Sequence, residues 1–124
     1  MQPDTIRLSQ KAKDRLVVLK RRTGIEQWNI LCRWALCRSL QEPTEPSTDF
    51  TTDSNIEIAW STFAGEYAPV YQGLLEDTCP SSLDSQEHLL AHIHRGIGYL
   101  FSEVNSGQGI AELLIVKKSP PSTN

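Results

Sequence analysis

Residues 5–24, Thr5-Ile6-Arg7-Leu8-Ser9-Gln10-Lys11-Ala12-Lys13-Asp14-Arg15-Leu16-Val17-Val18-Leu19-Lys20-Arg21-Arg22-Thr23-Gly24, are the stretch whose reading decides the fold. The first five residues alternate, with Ile6 and Leu8 on one face and Thr5, Arg7 and Ser9 on the other, which predicts a short strand. Ser9 then stands where a helix N-cap would, and Gly24 stands just past the last residue of the following pattern. A helix is therefore predicted up to about Thr23. Within it Ala12, Leu16, Leu19 and Thr23 recur at three- and four-residue spacing and make one narrow apolar stripe. Basic residues flank that stripe, Lys13 and Lys20 on one side and Lys11, Arg15 and Arg22 on the other.

Working outward, a second helix is predicted from about Glu26 to Leu40. At 100° per residue Ile30, Trp34 and Cys37 fall on one side, Leu31 and Ala35 on the next, and Trp28, Cys32, Leu36 and Leu40 around the back. A helix apolar nearly all round must be buried nearly all round. In a small domain this places it at the centre of an oligomer, with Trp28, Leu31 and Leu36 as expected interface residues.

Charge is divided along the chain. The first forty residues hold nine basic side chains against three acids, a net charge of +6, whereas the remainder holds three basic residues against twelve acids, a net of −9. The overall charge of −3 hides this division. A basic head on an acidic body is the electrostatic outline of a nucleic-acid binder that also holds protein partners. Lys11 and Lys13 fall in the first helical turn, where the macrodipole disfavours cations by roughly 0.3–1 kcal/mol each. A phosphate backbone would offset that cost.

Residues 41–53, rich in Pro, Ser and Thr, read as a connector, and residues 54–116 as a helical remainder of the same single domain. Asn55 to Trp60 alternate like a strand, and a helix bent near Pro69 is predicted from about Thr62 to Asp77. Asp84 followed by Glu87 resembles a capping box and opens a helix burying Leu89, Leu90, Ile93, Ile97, Leu100 and Phe101. Ile110 to Val116 is a short apolar element of unassigned type, and residues 117–124 read as a disordered tail. The fold class is mainly α, a strand-helix-helix core followed by further helices.

His88 and His92 have the i, i+4 spacing that can chelate zinc, but Leu89, Leu90 and Ala91 between them make no HExxH pattern. Those two and His94 are expected in structural or interface roles, with no metal site. Cys32, Cys37 and Cys79 show no CxxC spacing and read as buried small hydrophobes in a reducing compartment. Gly96 and Gly98 lack the third glycine of GxGxxG, since Phe101 stands there, and read as sites of close helix packing. No GxSxG context arranges a catalytic serine, so no catalytic residue and no cofactor are expected. Neither a leader pattern nor a run of about 20 apolar residues is present, which makes a soluble cytoplasmic protein the expectation.

Strand, helix, Thr-Gly turn and helix with outward basic residues resembles the ribbon-helix-helix family of DNA-binding folds, in which two chains pair their strands into a ribbon. A resemblance covering nearly the whole chain rests on residues 6–40, on IEIAW with FAGEY, and on LAHIHRGIGYL. These runs are similar to the DndE family, the small subunit of bacterial DNA phosphorothioation, which replaces a non-bridging phosphate oxygen with sulfur. The resemblance implies a homo-oligomer, a tetramer, that binds duplex DNA with a preference for nicked DNA. It also implies work alongside a cysteine desulfurase, an iron–sulfur subunit and an ATPase subunit. The positions matching the family's DNA-contacting basic residues are Lys11, Lys13, Lys20, Arg21 and Arg22. An ordinary ribbon-helix-helix repressor, or an assembly scaffold whose basic face meets an acidic protein, are the alternative readings.

Overall fold

The computed structural model describes residues 5–81 and 83–106. In chain order it contains β1 (Thr5–Arg7), α1 (Gln10–Thr23), α2 (Trp28–Leu40), β2 (Glu57–Ala59), α3 (Trp60–Ala64), a 3-10 turn (Gly65–Tyr67), α4 (Ala68–Thr78) and α5 (Ser85–Asn105). The fold is mainly helical and opens with the expected strand-helix-helix. The elements predicted over 110–116 and 117–124 lie outside the described residues.

Local chemistry accounts for the ends of α1. The Ser9 hydroxyl oxygen accepts from the Ala12 amide at 3.0 Å, satisfying one of the helix's unpaired donors. At the other end Gly24 adopts φ of 75°, the left-handed conformation that a side chain disfavours, and its amide donates to the Lys20 carbonyl at 3.0 Å. Asp84 caps α5 in the same manner, accepting from the Gln86 and Glu87 amides at 3.1 and 3.4 Å.

β1 pairs with β2 of its own chain, antiparallel, in the register Thr5↔Ala59, Ile6↔Ile58 and Arg7↔Glu57. The ribbon that the resemblance implied between two chains is here closed within one. Ser54 extends the clasp, its amide and hydroxyl both donating to the Leu8 carbonyl, at 3.0 and 2.8 Å. Alternation does its expected work, burying Ile6 and Ile58 together while Arg7 and Glu57 face solvent as an ion pair.

The long helix α5 lies at the centre, buried along most of its length, with α2 packed against it over the largest helix–helix interface and α1 beside it. This corrects the expectation for α2. Leu31 and Leu36, expected at an oligomer interface, are 1 % and 0 % exposed inside the single chain. The chain supplies its own cover because α5, arriving some fifty residues later, is long enough to lie along α2. Trp28 is half-buried, and Ile30, Trp34 and Cys37 keep partial exposure on the opposite face.

The helix predicted from Thr62 to Asp77 is broken rather than bent. Gly65, at φ 57°, separates α3 from the 3-10 turn, and Pro69 sits in the first turn of α4, where its missing amide costs no helical bond. The break turns Phe63 and Ala64 into the core while Tyr67, Val70 and Leu74 remain 54 %, 57 % and 42 % exposed.

Candidate nucleic-acid interface

α1 buries Ala12, Leu16 and Leu19 and leaves the rest of its circumference open. The five basic residues singled out from sequence are distributed over that open surface and do not converge on one point. Lys11 and Arg22 share one side of the helix, roughly 16 Å apart along its axis, while Lys13 and Lys20 lie about half a turn away and Arg21 points outward between them.

Their immediate surroundings differ. The Lys13 ammonium donates to Asn55 Oδ1 at 2.6 Å, and the Lys20 ammonium stands 5.0 Å from the centre of the Trp28 ring, a cation–π contact. Lys11, Arg21 and Arg22 are exposed and have no hydrogen bond or ion pair among the described residues. Of the five, those three are the ones left open to an external anion. Arg7, by contrast, is paired with Glu57, and Arg38 with Glu42 and Glu103. Arg95 donates to the Ser39 hydroxyl and carbonyl and to Thr44, at 2.8, 2.9 and 2.9 Å.

The connector brings acids to the start of α1, which the linear charge division does not reveal. Asp53 Oδ1 accepts from the Thr51 hydroxyl at 2.7 Å and from the Gln10 amide at 3.0 Å. The Thr51 hydroxyl first, and the Gln10 amide after it, hold the Asp53 carboxyl below the usual carboxylate range. A carboxylate at the helix N-terminus offsets part of the macrodipole penalty assigned to Lys11 and Lys13. The first-turn lysines alone thus make a weaker case for an external polyanion than their position in the sequence implies.

Arg15 is the basic residue of α1 that the match to family positions left out. It crosses toward α5 with its guanidinium 5.2 Å from the centre of the Phe101 ring, and it borders a cavity of about 420 Å³ with Lys11, Phe50 and His94. The only sequence signal for it was its place on the same helical side as Lys11 and Arg22.

The histidines occupy defined internal positions, but of the three cysteines expected to be buried only Cys32 is, Cys37 and Cys79 being partly exposed. Thr78 Oγ1 donates to the Leu74 carbonyl at 2.9 Å and so accepts from His88 Nε2 at 2.8 Å. His88 Nδ1 is buried without a hydrogen-bond partner among the described residues. Ser39 Oγ meets His92 Nδ1 at 2.8 Å, and the His88 and His92 rings meet edge to face at 4.5 Å. His94 uses both nitrogens, Nδ1 donating to the Leu90 carbonyl at 2.8 Å and Nε2 accepting from the Ser9 amide at 3.1 Å. Burial lowers the pKa of all three, that of His92 to about 4. Cys32 is buried, which pushes its thiol up to about 12, and burial also raises Cys79. Among the described residues no three His, Cys, Asp or Glu side chains are grouped to hold a metal ion. Likewise no described helix is long and apolar enough to cross a membrane.

The model of the family described as DNA sulphur modification protein DndE matches residues 5–108. The chain belongs to the DndE family. DndE from Escherichia coli B7A, described as involved in DNA phosphorothioation modification, superposes with a TM-score of 0.68 at 29 % identity, over 81 % of this chain and 99 % of its own. A glycine-to-lysine double mutant of DndE, described as involved in DNA phosphorothioation, has a TM-score of 0.63 at 24 % identity, over 80 % and 99 %, and shares the fold. No curated protein matches the sequence. Involvement in DNA phosphorothioation is thus the setting of this DndE-family chain.

Proposed function

We propose that this chain is a non-catalytic DNA-binding subunit of a bacterial phosphorothioation complex, holding the duplex backbone, nicked duplex by preference, through the basic surface of α1. The observation that carries the reading is that Lys11, Arg21 and Arg22 are exposed and have no side-chain hydrogen bond or ion pair among the described residues. Each is available to a phosphate, and DNA is the polyanion that the family's chemistry modifies. Lys13 and Lys20 join them by exchanging Asn55 and Trp28 for phosphate oxygens. The absence of a catalytic role draws support from occupancy, since the Cys32 thiol is buried and protonated and each histidine ring is held by internal partners.

The subunit assembles in this reading as a cytoplasmic homotetramer beside the ATPase, iron–sulfur and cysteine desulfurase components. Tyr67, Val70 and Leu74, exposed and spaced for one helical side, offer the apolar surface that Leu31 and Leu36 do not. An ordinary repressor is the weaker reading. Its ribbon would present basic or polar side chains to a groove, whereas Glu57 stands directly across from Arg7 and cancels its charge.

Fluorescence anisotropy on intact and nicked duplexes across a salt series tests the proposal. Reversing Arg21 and Arg22 together to Glu is expected to abolish binding with helix content and assembly mass unchanged, and reversing Lys117 and Lys118 to do little. The opposite pattern would reject the basic face of α1 as the DNA contact.

A further inference from the structure

The cavity of about 420 Å³ between the first turns of α1, the connector and α5 combines three features that backbone binding does not require. Its volume is in the roughly 300–1,000 Å³ range of small-ligand sites. Lys11 and Arg15, one helical turn apart on the same side of α1, both border it, and neither has a hydrogen bond or ion pair among the described residues. Phe50 stacks on His94 with ring centres 4.4 Å apart and planes within 15°, so two flat rings also line it.

The stack is rigid for a chemical reason. Both His94 nitrogens are engaged, at Leu90 and Ser9, which fixes the imidazole plane and with it the ring lying on it. Asp49 is the single carboxylate lining the space, so Lys11 and Arg15 leave an excess of positive charge, and Arg95 is already bound to Ser39 and Thr44. An adjustable pair of cations beside a fixed aromatic surface is complementary to a ligand with one anionic end and one planar end.

We infer that this cavity receives one unstacked nucleotide of a DNA strand, its phosphate held by Lys11 and Arg15 and its base laid against Phe50. The inference rests on the DNA-binding reading and deepens it. α1 would then meet DNA in two ways, through Arg21 and Arg22 along the intact backbone and through the cavity wherever a nucleotide has left the stack. Base identity matters little in this arrangement, because every base has a flat face and no free hydrogen-bonding side chain other than the cations is needed.

The test uses 2-aminopurine, whose fluorescence reports its stacking, placed as an unpaired nucleotide in a duplex, with an intact duplex and free deoxyadenosine monophosphate as the other two probes. The wild-type protein is expected to change the 2-aminopurine emission and to bind the unpaired-base duplex more tightly than the intact one. Phe50→Leu and Arg15→Gln are each expected to remove that preference, a loss of about tenfold, while affinity for intact duplex stays unchanged. Arg21→Ala with Arg22→Ala should instead weaken both duplexes. Circular dichroism checks the folding of each variant, and Arg15→Gln carries the test if Phe50→Leu unfolds. Wild-type binding of both duplexes with no preference and no change in emission overturns the cavity inference and leaves the DNA-binding reading standing. Failure to bind any duplex overturns both. Binding of the free monophosphate with no effect on the 2-aminopurine strand also overturns the inference, by assigning the cavity to a free nucleotide.

Discussion

Gly96 of α5 lies so close to Ala35 of α2 that a methyl group added at Gly96 would stand 1.8 Å from the Ala35 carbonyl oxygen and 2.3 Å from its carbonyl carbon. No side chain can yield there, because the obstacle is backbone. The two helices that make the largest interface in the protein therefore meet through a glycine. Gly96→Ala is expected to destabilise by about 1–3 kcal/mol or more, outweighing the gain in helix propensity. Gly98→Ala is the comparison, since its added methyl would meet only the mobile end of Arg15 at 3.1 Å. Thermal melts of the two variants should separate them, and equal melting temperatures would show that the helices move apart freely.

The position of Leu36 leads to a different expectation from the one its sequence context suggests. Leu36→Asp would place a charge where α5 covers the site completely, so the chain should unfold rather than merely dissociate, at a cost of several kcal/mol. Val70→Asp, on the exposed side of α4, should keep helix content and lower the assembly mass. Circular dichroism with light scattering reads both properties at once. A folded monomer from Leu36→Asp would contradict the packing described here.

Stability should fall in mild acid. His92 is held to about 4 from an ordinary 6.5, by burial first and then by His88 and Arg95. Below pH 6.5 the unfolded chain takes up a proton that the folded chain refuses, so stability is complete above that pH and is lost as pH falls toward about 4. The loss from His92 is on the order of 2–3 kcal/mol, with His88 and His94 shifted in the same direction. Urea midpoints between pH 7.5 and 4.5 measure it. His92→Asn should flatten the dependence.

Cys32 should resist thiol reagents until the protein unfolds, since its thiol is buried and its pKa is pushed up to about 12. Peptide mapping after brief alkylation, with and without denaturant, checks this. Rapid labelling of Cys32 in the native protein would show that the α2–α5 interface opens.

What the sequence made legible is local. Ser9 and Gly24 bracket α1 as their capping chemistry requires, Asp84 opens α5, and the alternation around Ile6 marks β1. Elements whose partners are distant were not legible. Nothing near Leu31 announces that α5 will cover it, nothing near Thr5 announces Ala59, and a glycine at Gly65 does not declare whether it bends or breaks a helix. The candidate site divides in the same way. Lys11, Arg21 and Arg22 are conspicuous in sequence and remain unpaired among the described residues, whereas the attachments of Lys13 to Asn55 and of Asp53 to Gln10 depend on a connector returning across forty residues. Arg15 and Phe50, thirty-five positions apart, border one cavity for the same reason.

Closing the β1–β2 ribbon within one chain changes what dilution does to the protein. A strand that borrows its partner from another copy loses it as concentration falls, and the fold goes with it. Here the partner strand is tethered, so its effective concentration is set by the connector and not by the number of molecules in the cell. Any assembly would then be an addition to a subunit whose ribbon is already complete within its own chain.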